Sequence, residues 1–106
     1  MPLFAGRDDI VVPAIFDLEV TSALVRRGVA AKRVSTFLDQ HLRRRRLITI
    51  GPRAIRTVRG VVATTRLRAA DALYVWVAVR EGLPLVTLDR EVIERATQAG
   101  AEALLP

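Results

Sequence analysis

One stretch of the chain, residues 66–90, constrains the fold more than any other. Its first part, residues 69–81, is apolar on nearly all sides and predicts a buried helix. A tight turn then leads to residues 83–88, a short β-rich apolar run that is typical of a parallel strand buried on both faces. Asp71 stands where the helix begins, and Asp89 stands where the strand ends. The carboxyl end of a parallel strand is where α/β proteins place their ligands. The two acids could therefore stabilise the fold or belong to a functional site.

Predicted strands and helices alternate along the whole chain, which favours an α/β fold with a largely parallel sheet. The predicted helices are residues 14–27, 30–45, 53–63, 69–81 and 90–98, and the predicted strands are residues 10–12, 47–50, 83–88 and 101–105. The 106 residues are enough for one small hydrophobic core. No repeat or composition shift divides the chain, so we expect a single domain over residues 1–106.

Positive charge is concentrated in the middle of the chain. The formal net charge is +6, and sixteen of the seventeen basic residues are arginine. Residues 41–70 contain nine arginines and no acid, which favours a polyanion such as RNA as the partner. Four of the arginines are consecutive and are the predicted RNA contacts: Arg43, Arg44, Arg45 and Arg46. The alternative is structural, since arginines also suit solvated helix faces and helix C-termini.

Several classes of site are excluded or unsupported. The chain has no cysteine, so it has no disulfide and no thiolate metal site. Its one histidine, His41, lies in the basic region without a nucleophile-elbow pattern. No phosphate-binding loop and no dinucleotide fingerprint are present. No apolar run reaches the ~18 residues of a membrane helix, and no signal peptide is evident, so a cytoplasmic protein is expected.

Three carboxylates have apolar neighbours. On the predicted helix 14–27, Glu19 shares a face with small and apolar residues, whereas Asp17 points away and is predicted to be solvated. Each of the three has a structural explanation: Glu19 could pair with an arginine, Asp71 suits a first helical turn, and Asp89 suits an N-cap. If the three carboxylates converge at one edge of the sheet, they could instead hold Mg²⁺ or Mn²⁺, since both ions prefer oxygen ligands.

Two segments of the chain form a recognisable combination: VPAIFDLEVTSALVRRG, residues 12–28, and RAADALYVWVAVREGLPLVTLD, residues 68–89. Together they resemble the PIN domain, in particular the VapC-like toxins of type II toxin–antitoxin systems. Their order and separation fit the family, and the resemblance extends from about Ile10 over most of the chain.

The resemblance implies a three-layer α/β/α sandwich around a mainly parallel sheet. It implies cleavage of RNA phosphodiesters by water activated on Mg²⁺ or Mn²⁺. Glu19, Asp71 and Asp89 match three of the metal-site acids of the family, and Thr87 matches a hydroxyl position near that site. It also implies a homodimer and a cognate antitoxin whose arginine enters the acidic pocket.

The chain departs from the family pattern at its N-terminus. The family begins with a strand that ends in an Asp, well before the Val-Pro segment, whereas only residues 1–11 stand there in this sequence. Asp8 and Asp9 precede the second strand instead of ending a first one. We therefore expect one metal-ligand Asp to be absent and two strand edges to be open to another chain, with the true start upstream or the copy truncated.

Three functions follow from these observations as alternatives. The first is a metal-dependent endoribonuclease. The second is a catalytically impaired PIN remnant that binds RNA or an antitoxin without cleaving. The third is an α/β interaction domain whose acids serve only as helix caps and dipole partners.

Overall fold

The computed structural model describes residues 10–106, in which helices and short strands alternate as the sequence predicted. The elements are β1 (Val11–Pro13), α1 (Ile15–Val25), α2 (Ala31–His41), β2 (Arg46–Ile48), α3 (Pro52–Thr65), α4 (Ala69–Glu81), β3 (Leu85–Val86), α5 (Arg90–Gln98) and β4 (Ala103–Leu104). The α/β class is confirmed, and α4 and α5 have the predicted bounds. The expectations for residues 1–9, Asp8 and Asp9 among them, lie outside the described residues.

The strands pair in parallel, as expected, but in two separate sheets. In one sheet β1 pairs with β2, with Val11 opposite Arg46. In the other, β3 pairs with β4, with Leu85 opposite Ala103. Within residues 10–106 no strand hydrogen bonds connect the two sheets. Helix α4 packs against both β1 and β3, and so it joins the two sheets through side chains.

The hydrophobic core also has two parts. The α4 cluster is centred on one helix and contains Val58, Leu67, Ala72, Val75, Trp76, Val77, Ala78, Leu85, Val92, Ala96 and Ala101. The α1–α2 cluster contains Ile10, Val12, Phe16, Val34 and Leu38. Tyr74 is half-buried and packs against both clusters. The nearly all-round apolar character of α4 is thus explained by its central position, with neighbours on most sides.

The ends of the helices follow local chemistry in most places. Pro52 supplies a preset φ at the start of α3, and Gly82 ends α4 with a φ of 64°. Helix α3 is longer than predicted, because Arg66 ends it in the left-handed conformation, with a φ of 59°. Side chains other than glycine adopt that conformation at a cost, so no sequence rule indicated this end.

No segment within residues 10–106 forms a helix that is both long enough and apolar enough to span a bilayer.

Candidate metal centre and nucleic-acid interface

A small cavity lies where α1, α4 and the end of β3 meet. Its volume is about 230 Å³, and Phe16, Leu85 and Val92 form part of its apolar wall. Its polar lining comes from Glu19, Asp71, Tyr74 and Thr87. Three of the four residues that the sequence singled out as a site, all except Asp89, therefore line the same cavity.

Each of these residues reaches the cavity for a local reason. Glu19 lies on the face of α1 that also carries Ala23, as its helical position predicted. Asp71 is in the first turn of α4, where a carboxylate suits the helix dipole. Thr87 directly follows β3 and is buried, with 8% of its surface exposed. Its Oγ1 accepts a hydrogen bond from the N–H of Asp89 at 3.1 Å, which fixes the turn after the strand.

Asp89 lies beside the cavity and has a structural role. It is the N-cap of α5, and its Oδ1 accepts hydrogen bonds from the N–H groups of Glu91 (2.9 Å) and Val92 (3.3 Å). The predicted N-cap is therefore present. Both bonds fall on Oδ1, so the cap leaves Oδ2 without a hydrogen bond among the described residues.

Asp71 feels the charges of the residues around it. Burial raises the pKa of Asp71 above its ordinary value, and the negative charge of Asp89 raises it further. Arg68 lowers the pKa of Asp71, and Glu19 raises it again. Asp71 therefore lies in a site where negative charge accumulates, which is an arrangement that favours a bound cation.

The donor set suits a hydrated divalent ion. Within residues 10–106, no three acidic, histidine or cysteine side chains are grouped closely enough to coordinate a metal by themselves. Mg²⁺ commonly keeps several waters and binds proteins through one or two carboxylates. Glu19 and Asp71, which share the cavity, meet that requirement, and Asp89 adds negative charge from its rim.

Tyr74 is a member of the site that the sequence did not single out. Its hydroxyl donates a hydrogen bond to Oε1 of Glu19 at 2.6 Å. Burial raises the pKa of Tyr74, and the bond to Glu19 raises it further, so the hydroxyl keeps its proton. The sequence signal that could have identified Tyr74 is its position three residues after Asp71, because residues i and i+3 share a helix face. Tyr74 thereby fixes the direction of the Glu19 carboxylate.

The four consecutive arginines have different environments. Arg45 donates from Nε and Nη2 to the two carboxylate oxygens of Asp17, at 2.7 and 2.8 Å. Its Nη1 donates to the carbonyls of Leu38 and Leu42 at the end of α2. These contacts correct two expectations, since Asp17 is paired instead of solvated, and Arg45 has its donors occupied inside the protein instead of facing RNA.

The other three arginines are exposed. Arg46 also forms an ion pair with Glu81 of α4. Arg43 and Arg44 lie on the surface just after α2. Exposed arginines remain suited to phosphate contacts, and Arg45 differs from the other three in that only 12% of its side chain is exposed.

Comparison with models of known protein families gives a match to the family described as PIN domain, over residues 2–98. Neither the curated proteins nor the solved structures contain a significant match to the chain.

Proposed function

The chain belongs to the PIN domain family, whose members are generally nucleases that depend on divalent metal ions, and we propose that it is a VapC-like toxin endoribonuclease that hydrolyses RNA phosphodiester bonds. The observation that carries this proposal is the shared cavity of Glu19 and Asp71, in which burial and the nearby negative charges of Asp89 and Glu19 raise the pKa of Asp71.

In this proposal Glu19 and Asp71 hold the metal, with Asp89 beside them, and the metal is Mg²⁺ or Mn²⁺. An ion held there would supply an activated water and would neutralise the charge that develops on the phosphate. Tyr74 keeps Glu19 pointed into the cavity through its hydrogen bond. Thr87 adds a buried hydroxyl to the lining of the same cavity.

The substrate contacts in this proposal are exposed arginines. Arg43, Arg44 and Arg46 follow α2 and are exposed. Arg68, at the start of α4, lies close enough to Asp71 to lower its pKa, which suits a contact to the phosphate that is cleaved. Arg45 is left out, because Asp17 already pairs with it.

The proposed protein partners are a second copy of the chain and a cognate antitoxin, in the cytoplasm. An open apolar groove of about 870 Å³ between α3 and α4, lined in part by Ile55, Gly60 and Leu73, supports an interface between two copies. Gly60 lies in mid-helix, and a Cβ there would meet no atom within 4 Å, so it leaves room for close approach of another helix. The acidic cavity supports an inhibitor that inserts an arginine.

One observation favours the alternative of an impaired PIN remnant that binds RNA or an antitoxin without cleavage. The described residues do not bring a third carboxylate into a ligating group with Glu19 and Asp71. With fewer protein ligands the site binds the ion more weakly, because water must supply each ligand oxygen that the protein does not.

The two functions are separated by one experiment on the full chain. A labelled RNA is incubated with the protein in Mg²⁺, in Mn²⁺ and in chelator, and cleavage and binding are both recorded. The proposal expects metal-dependent cleavage that Asp71→Asn abolishes and that Glu94→Gln, at an exposed acid of α5, leaves unchanged. RNA binding without cleavage in either metal would establish the impaired PIN remnant instead. If the protein neither binds nor cleaves RNA, only the third alternative, an α/β interaction domain, is left.

A further inference from the structure

The outer face of α2 carries a hollow that the proposed cleavage site does not use. We name it the α2 hollow; it measures about 500 Å³ and is lined by Ala30, Lys32, Arg33, Thr36, Phe37 and His41. The opposite face of the same helix is buried, with Val34 and Leu38 in the α1–α2 cluster. Helix α2 thus has an inner face that the fold requires and an outer face that the described fold leaves in solvent.

Two aromatic rings lie together in this hollow. Phe37 is 40% exposed, although a phenylalanine gains most from full burial. Its ring centroid is 5.4 Å from that of His41, and the two planes are inclined at 33°. Unpaired nucleic-acid bases stack on exposed aromatic side chains, and neighbouring cations bind the phosphates.

The positive charge of the α2 hollow favours a polyanion as its ligand. Lys32 and Arg33 line it, and none of its lining residues is acidic. Asp39, the acid within α2, does not line the hollow, and its nearest described cation is Arg45, at 3.9 Å. Arg43 and Arg44 follow within a few residues of His41 and extend the positive surface.

We propose that the α2 hollow is a binding site for single-stranded RNA, in which a base stacks on Phe37 and His41 and the adjoining phosphates contact Lys32 and Arg33. The volume of the hollow falls in the range of sites for small ligands, which suits a nucleotide. An acidic peptide would satisfy the cations but would leave the ring pair unused. The choice of RNA rests on the proposed function.

The position of the hollow gives it a role in holding the substrate. Helix α2 packs against α1, which carries Glu19 to the acidic cavity. RNA bound on the outer face of α2 is therefore held next to α1, the helix that carries Glu19. This contact adds to affinity for RNA without touching the bond that is cleaved.

The test measures RNA binding separately from cleavage. Every protein carries Asp71→Asn, so that turnover does not consume the probe, a labelled unstructured RNA read by fluorescence anisotropy. In this background we compare Phe37→Leu, which keeps an apolar side chain but loses the ring, with the double variant Lys32→Gln and Arg33→Gln. The matched control is Arg53→Gln with Arg66→Gln, at the two ends of α3, which removes two positive charges at exposed positions outside the hollow. Melting curves confirm that each variant is folded.

We expect Phe37→Leu to weaken RNA binding by roughly tenfold, since stacking on one aromatic side chain accounts for a factor of about 5 to 100. The Lys32 and Arg33 double variant should lower the salt dependence of binding by about one to two units of slope. Polyglutamate should compete poorly with RNA. An unchanged affinity in folded Phe37→Leu, an equal loss in the α3 control, or equal competition by polyglutamate would overturn the proposal. Failure of cleavage alone would contradict the proposed function and leave these binding results standing.

Discussion

Replacement of Arg45 by methionine should destabilise the protein without removing a direct contact to RNA. Only 12% of the Arg45 side chain is exposed, and it pairs with an Asp17 carboxylate that is 30% exposed. Methionine keeps the apolar length of the arginine stem but offers no donor to Asp17 or to the carbonyls of Leu38 and Leu42. The variant therefore leaves a half-buried carboxylate without its cation.

The expected size follows from these contacts. Removing one partner of a fully buried ion pair costs about 3–5 kcal/mol. Asp17 keeps some access to water, so we expect a smaller loss, of about 2–3 kcal/mol in the free energy of unfolding. For a domain of this size that corresponds to a fall in Tm of roughly 10–20 °C. Arg43→Met, at an exposed site in the same run, should change the free energy of unfolding by less than about 0.5 kcal/mol.

Thermal and urea unfolding of Arg45→Met, Asp17→Asn and the double variant measure the effect. The two single losses should sum to clearly more than the loss in the double variant, because both remove the same interaction. At a temperature where both proteins are folded, Arg43→Met should weaken RNA binding and Arg45→Met should not. The reasoning is refuted if Arg45→Met melts within a few degrees of Arg43→Met, or if its folded form loses RNA as severely.

Four further predictions concern the site and the helices. Tyr74→Phe should reduce metal-dependent cleavage and lower the free energy of unfolding by about 1–2 kcal/mol, since Glu19 loses the donor that positions it; unchanged cleavage and melting would contradict this. Because the folded-state pKa of Asp71 is raised, its ionisation costs stability as pH rises and the cost disappears as pH falls, so Asp71→Asn should raise Tm in chelator at neutral pH and have little effect in acid. The same raised pKa should make protons compete with metal at a higher pH than for an ordinary aspartate, which a metal titration at several pH values checks by its shift in Tm. Gly60→Ala should stabilise the monomer by about 0.5–1 kcal/mol, because a Cβ there has open space, whereas Gly82→Ala, at a φ of 64°, should destabilise it.

The parts of the fold that the sequence predicted well are those with strong local signals. Helix α4 was placed correctly because its apolar run is long and Gly82 marks its end. Asp89 was identified as a cap because its backbone position and side chain agree. The end of α3 was missed because Arg66 adopts a conformation that its residue type does not favour.

Contacts between distant segments were the part that could not be predicted. A helical wheel gave the direction of Asp17 relative to its own helix, but not the presence of Arg45 opposite it, 28 residues later. For the same reason the bond from Tyr74 to Glu19, across 55 residues, was not foreseen. The convergence of Glu19, Asp71 and Thr87 on one cavity had to come from a family resemblance, since no local pattern encodes it.

The position of Tyr74 between the two hydrophobic clusters has a consequence for the geometry of the cavity. Glu19 is carried by α1, which packs with one cluster, and Asp71 by α4, which is the centre of the other. The distance between the two acids therefore depends on how α1 lies against α4, and the hydrogen bond from Tyr74 to Glu19 is a direct link between these helices. A core substitution in either cluster that shifts one helix against the other would change the site without touching any residue that lines it.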